Sequence, residues 1–199
     1  PNVAPQVLTD LKPLVTKDNP LLISIAAGVS TAKILESAGE KARVVRVMPN
    51  TPALVGEGMT VLCSGGTATG KDIKQAEELF GSVGQVLVME ERLMDAVTGL
   101  SGSGPAYVFL MIEALADGGV KNGIPRDQAL TLARQTVLGA ARLAVATGEH
   151  PGVLKDRVTS PGGTTIAGIT ALERGRFRAS LIDAVTSAAE RSEELGGRR

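Results

Sequence analysis

The chain has 199 residues, and its 21 basic and 21 acidic side chains leave a formal net charge of zero. Apolar residues make up 43% and charged ones 21%, the balance of an ordinary soluble globular protein long enough for one or two domains and a buried core. Zero net charge and only four aromatic side chains (Phe80, Tyr107, Phe109 and Phe177) argue against nucleic acid as a partner, which calls for surplus Lys and Arg and for stacking platforms.

Residues 1 to about 90 alternate helix-like and strand-like patterns. Val7, Leu8, Leu11, Leu14 and Val15 fall on one helical face, and Pro13 is expected to end or kink that helix. Leu21 to Ile25 is a short apolar run closed by Ala26-Ala27-Gly28, as a buried parallel strand would be. A short helix follows over Thr31 to Ala38 with Ser30 or Thr31 as its cap, then a strand over Val44 to Met48. Met59 to Cys63 reads as a third strand, Ile73 to Phe80 as a helix and Gln85 to Met89 as a fourth strand. Strands alternating with short helices predict βαβ units and a mostly parallel sheet.

From about Glu91 the strand signal vanishes. Ala106 to Ala116 is apolar nearly all round, apart from Glu113, which predicts a helix buried on most sides. Pro125 and Asp127 open a long Ala/Leu-rich helix that runs to Thr147 and stops at Gly148. Phe177, Leu181, Val185, Ala188, Ser192 and Leu195 form a last helical stripe, and the tail from Gly196 to Arg199 is expected to fray. The fold class is thus α/β then all-α, with an α/β part over 1–90 and a helical part over 91–199. Several apolar helix faces in the second part invite burial against another copy of the chain, so a homodimer through that part is expected.

Cys63 is the only cysteine, which excludes a disulfide framework and a thiolate zinc site, and no metal site is expected. His150 is the only histidine and no G-x-S-x-G elbow is present, so a Ser-His-Asp hydrolase is disfavoured; at a loop-to-helix junction, His150 reads as structural. The longest strictly apolar run, Ala106 to Ile112, falls far short of the ~20 residues of a membrane span. With no membrane span and no targeting segment at its start, the chain is expected to be cytoplasmic.

Chemistry is best sought in Ser160-Pro161-Gly162-Gly163-Thr164-Thr165, which leads into a helical pattern at Ile166, Ile169 and Leu172. Such a turn exposes backbone N–H groups at the positive end of a helix dipole and can hold a carboxylate or phosphate without Lys or Arg. A well-capped helix after a Gly turn is the plain alternative. Thr98-Gly99-Leu100-Ser101-Gly102-Ser103-Gly104-Pro105 suits either a tight helix crossing at a dimer interface or a pocket wall. Ala26-Ala27-Gly28 and Pro49-Asn50-Thr51-Pro52 each follow a strand, where nucleotides bind in open parallel sheets, although no G-x-G-x-x-G follows a strand. Glu90, Glu91 and Asp95 either favour a cationic substrate or form a solvated first helical turn, the commoner case.

Read together, Asp95 to Tyr107, Glu113 to Val120, His150-Pro151, Leu154-Lys155-Asp156 and Ser160 to Ile166 closely resemble pyrroline-5-carboxylate reductases, in the same order. Ala26-Ala27-Gly28-Val29 and Met48-Pro49-Asn50-Thr51-Pro52 extend the resemblance over nearly the whole chain. The resemblance implies part of a Rossmann domain over 1–90 and a helical dimerisation and substrate-binding domain over 91–199, with dimers that often build decamers. It implies reduction of 1-pyrroline-5-carboxylate to L-proline by NADPH or NADH. Carried onto this sequence, Gly163, Thr164 and Thr165 would bind the substrate carboxylate through main-chain N–H groups, assisted by Ser160. The Thr165 hydroxyl would sit near the ring nitrogen as the catalytic group. Glu91 would favour the cationic imine, and Ile25, Ala26 and Ala27 would line the nicotinamide.

Two departures accompany the resemblance. The family's first strand and Gly-rich phosphate loop have no counterpart in the given sequence, which reads as the C-terminal two-thirds or so of a subunit. Arg157 stands where some relatives carry an Asn that touches the cofactor. The competing reading is a non-catalytic fragment that dimerises and binds proline-like carboxylates but not the dinucleotide.

Overall fold

Helix α1 runs from Ala4 to Asp18 and continues past Pro13. The expected break does not occur: Pro13 is exposed, and the opposite side of the helix is anchored, with Val15, Leu8 and Ala4 packed into a cluster around Ile34 and Ala38 of α2 (Thr31–Ala38). One missing N–H is outweighed by that packing. The computed structural model describes residues 3–197.

The strands are β1 (Leu21–Ser24), β2 (Arg43–Met48), β3 (Gly58–Gly66) and β4 (Gly84–Val88), in the order β1-β2-β3-β4. The β1/β2 and β3/β4 pairs are parallel, while β2/β3 is antiparallel. The connections explain this. Helices α2 and α3 (Gly70–Gly81) supply the crossovers that parallel pairs need. Between β2 and β3 lie only residues 49–57, with a single 3₁₀ turn at Thr51–Val55, too short for a crossover. The centre of β2 is buried from Val44 to Val47. Val44 joins the α1/α2 side and Val45 and Val47 join Leu62 and Ala76 on the α3 side, the period-2 alternation of a strand covered on both faces.

The chain divides into two compact units, Pro1–Pro105 with Asp183–Arg199, and Ala106–Ile182. The first holds the sheet, a 3₁₀ turn at Glu91–Leu93, the short helix α4 (Met94–Val97) and a π-helical turn at Thr98–Gly102. The second is helical: α5 (Gly104–Lys121), α6 (Arg126–Thr147), α7 (Pro151–Arg157), α8 (Thr164–Arg174) and the start of α9 (Phe177–Leu195). Pro125 and Gly148 bracket α6 as its N- and C-caps, the latter at φ 63°.

Helix α5 does not bury itself within one chain. Ala116 is its only buried residue, while Phe109 and Leu110 are 63% and 67% exposed. Ala116 packs with Ala129 and Ala133 of α6, and the remaining apolar face stays bare. The small side chains let α5 and α6 approach closely, but two helices cannot cover an all-apolar cylinder. Gly196 and Gly197, in the tail that the sequence expects to fray, are held: their N–H groups donate to the Ser192 and Glu194 carbonyls, and Gly196 is buried. Arg198 and Arg199 lie outside the described residues. Among those described, no helix is long and apolar enough to cross a membrane.

Candidate active site

In the helical unit, the turn before α8 is built by glycine. Gly162 adopts φ +68°, and the Gly163 N–H donates to the Ser160 carbonyl at 3.1 Å. A Cβ at Gly163 would collide with the Ser160 hydroxyl. Gly163 is the N-cap of α8 in extended conformation; no side chain caps the helix, and its first turn holds no acidic residue. The helix start thus lacks the side-chain cap that the plain alternative calls for. The amides of Thr164 and Thr165 point out of the helix start at the positive end of its dipole. Thr165 is half-buried, whereas Ser160 and Thr164 are exposed. The Gly163 amide, by contrast, is already engaged by Ser160.

In the sheet unit, Ile25, Ala26 and Ala27 form the loop after β1, at the carboxyl end of the parallel pair. Ile25 is exposed and the two alanines are half-buried. The Val29 N–H donates to the Ala26 carbonyl at 3.3 Å, and Gly28 takes φ +75°. Ser30 caps α2 by accepting from the Lys33 N–H, as the sequence suggests.

The acidic cluster is not a solvated helical turn. Glu90 alone fits that description, 71% exposed and paired with Arg92. One Glu91 carboxylate oxygen accepts from the Thr31 N–H at 2.6 Å and the other from the Thr31 hydroxyl at 2.5 Å, and Arg46 Nη1 adds a contact at 3.2 Å. Burial pushes the Glu91 carboxyl up, but the Thr31 hydroxyl and amide and the Arg46 guanidinium outweigh it, so its pKa is lowered. Asp95 lies 3.6 Å from Arg46 Nη2 and accepts from the Ser192 hydroxyl at 2.7 Å. Arg46, 2% exposed, is the residue that sequence reasoning missed. The signal was a single Arg inside the otherwise apolar run Val44 to Met48, since a buried charge needs partners.

The structure thus places Glu91 and Ile25 to Ala27 in the sheet unit and Ser160 to Thr165 in the helical unit. The Gly-rich stretch at Thr98 to Pro105 serves a helix crossing, but within the chain: a Cβ at Gly99 would collide with the Val185 carbonyl of α9. His150 caps α7, with Nδ1 accepting from the Gly152 N–H at 3.1 Å. Arg157 pairs with Glu149. Cys63 is buried in the β3 face, and burial pushes its thiol up to about 11.

An open α/β sheet with an uncovered loop at a strand's carboxyl end, followed in the chain by a helical unit, is an architecture of the kind that dinucleotide-dependent oxidoreductases use. The pyrroline-5-carboxylate reductase dimerisation family matches residues 91–195. The chain is 56% identical over 195 residues to a pyrroline-5-carboxylate reductase of Pisum sativum, covering 98% of this chain and 71% of that one. The Escherichia coli (strain K12) reductase is 44% identical, covering 98% and 72%. A Plasmodium falciparum pyrroline carboxylate reductase, solved with NADP bound, superposes with a TM-score of 0.92 at 39% identity, covering 98% of this chain and 78% of that one. The chain belongs to the pyrroline-5-carboxylate reductase family, whose members are oxidoreductases, and its dimerisation segment makes it a homo-oligomer.

Proposed function

We propose that this protein reduces 1-pyrroline-5-carboxylate to L-proline with NADPH or NADH, the last step of proline biosynthesis. The observation that carries the reading is the uncapped start of α8, where Ser160, Gly163, Thr164 and Thr165 converge. The substrate is a small ring with a carboxylate at one end and a C=N bond at the other. The amides of Thr164 and Thr165 bind the carboxylate with help from the Ser160 hydroxyl, and the Gly163 amide joins when it leaves the Ser160 carbonyl. The Thr165 hydroxyl accepts from the protonated ring nitrogen and keeps the proton there, so the imine carbon stays electrophilic.

NADPH or NADH, when bound, supplies a hydride to that carbon. Ile25, Ala26 and Ala27, in the loop that Gly28 turns back after β1, would hold the nicotinamide end. The carbon gains the hydride, the nitrogen keeps its proton, and the product is a secondary amine. The Glu91 carboxylate, kept ionised by Thr31 and Arg46, favours a cationic imine over a neutral competitor. Residues 1–90 carry the cofactor side of this chemistry, and residues 91–199 the substrate turn and the dimer contacts.

The test is consumption of NADPH by the purified protein with 1-pyrroline-5-carboxylate, with L-proline measured as product. Equal amounts of the two support the reading. No rate where the Escherichia coli relative turns over would overturn it, and stabilisation against heat by proline but not by NADPH would then identify a non-catalytic, carboxylate-binding oligomer.

A further inference from the structure

Two loops leave the carboxyl edge of β1 and β2, and residues far along the chain hold both. Thr31, which follows the first loop, is gripped by Glu91 through its amide and its hydroxyl. Gly28 in that loop lies under the last turn of α9, where a Cβ would stand 2.8 Å from the Ser192 carbonyl and 3.1 Å from the Gly196 nitrogen. Ser192 is tied in turn to Asp95, and Asp95 and Glu91 share Arg46. On the second loop, Asn50 Nδ2 donates to the carbonyl and hydroxyl of Ser101 at 3.3 Å each, and Asn50 Oδ1 accepts from the Met59 N–H at 2.8 Å.

Ser192, Asp95 and Arg46 are all buried, at 2%, 4% and 2% exposure. Apolar side chains of similar size would hold such a contact as firmly without the desolvation penalty, so what the polar chain adds is direction. It fixes the register of the α9 end over Gly28, where φ +75° and the nearness of the Ser192 carbonyl favour glycine.

We propose that Ser192 and Asp95, anchored on Arg46, are positioning residues: they seat the last turn of α9 on Gly28 and so set the place of the Ile25 to Ala27 loop for the nicotinamide ring. This rests on the reading of that loop as the cofactor edge. Neither residue acts on the substrate, which is held in the turn before α8.

Ser192→Ala removes the hydroxyl with little change of shape, and Asp95→Asn keeps the size and an acceptor oxygen. Three readouts apply to the purified chain: amide exchange over 25–31, NADPH affinity by fluorescence titration, and L-proline affinity by thermal shift. Ser192→Ala is expected to speed exchange in the loop and weaken NADPH about fivefold to tenfold, the loss of one buried hydrogen bond, with proline affinity and exchange in α6 unchanged. Asp95→Asn, which retains an acceptor for Ser192, should fall between Ser192→Ala and the wild type. Unaltered loop exchange in both variants would overturn the proposal. So would faster exchange with unchanged NADPH affinity, or proline and NADPH weakening together. A wild-type chain that binds no NADPH would remove the cofactor reading and this proposal with it; one that binds NADPH yet reduces no imine sinks only the proposed activity.

Discussion

Thr165 is one residue inside α8, half-buried, with its amide at the helix start and its hydroxyl beside it. The two groups answer the two ends of the proposed substrate. Thr165→Ala keeps the amide and loses the hydroxyl, so kcat/KM for the imine should fall about 10- to 100-fold. The KM for NADPH should stay the same in the same steady-state assay. Full activity in the variant would remove the hydroxyl from the chemistry and leave only the backbone. Cys63 illustrates the opposite case at this scale. A lone cysteine invites a reactive role, yet burial pushes its thiol up to about 11, and a thiol held protonated is a poor nucleophile.

At the scale of elements, α3 shows how a helix start is tied to the sheet. The Thr69 N–H and hydroxyl both donate to the Asp72 carboxylate, at 2.7 and 2.9 Å, and Arg43 of β2 closes on the same carboxylate. The Arg43 guanidinium first, and the Thr69 amide after it, hold the Asp72 carboxyl well below the usual carboxylate range. A carboxyl depressed in the folded state stabilises the fold fully above its unfolded pKa of about 3.9, and that contribution is lost as pH falls from there toward the folded value. Asp72→Asn should therefore lower stability at neutral pH and flatten its loss in acid. Urea unfolding at a series of pH values reads both, and parallel curves for variant and wild type would contradict the pairing. The turn at Thr98–Gly102 is a second such device: a π-helical step in which Gly99 lets the α9 backbone pass close by.

For the whole molecule, the bare faces of α5 and α6 matter most. An open groove of about 650 Å³ runs between Phe109, Leu110, Ile112 and Leu130, with Glu113 and Arg134 also lining it. An apolar surface of this kind, on helices matched by a dimerisation family, is where a partner copy is expected to pack. Leu110→Glu puts a charge in the middle of that face. It should shift the protein from oligomer toward monomer in light scattering at micromolar concentration, with the far-ultraviolet circular dichroism retained. A variant of unchanged mass would place the interface elsewhere.

The helix and strand pattern was legible from the sequence because each apolar period reports on one local geometry. Pro125 and Gly148 bracket α6 where the sequence puts them, Ser30 caps α2, and α9 ends at Leu195. The turn before α8 was legible for the same reason, since glycines and threonines speak for backbone geometry. What the sequence could not supply were facts that depend on neighbours distant in the chain. Pro13 was tolerated because packing on α2 anchors the rest of the helix, and β3 ran antiparallel to β2 because the loop between them is too short to cross over. Whether Glu91 and Asp95 meet water or Arg46 is likewise decided by residues 45 and 49 positions away, since a charge alters its meaning with the dielectric around it.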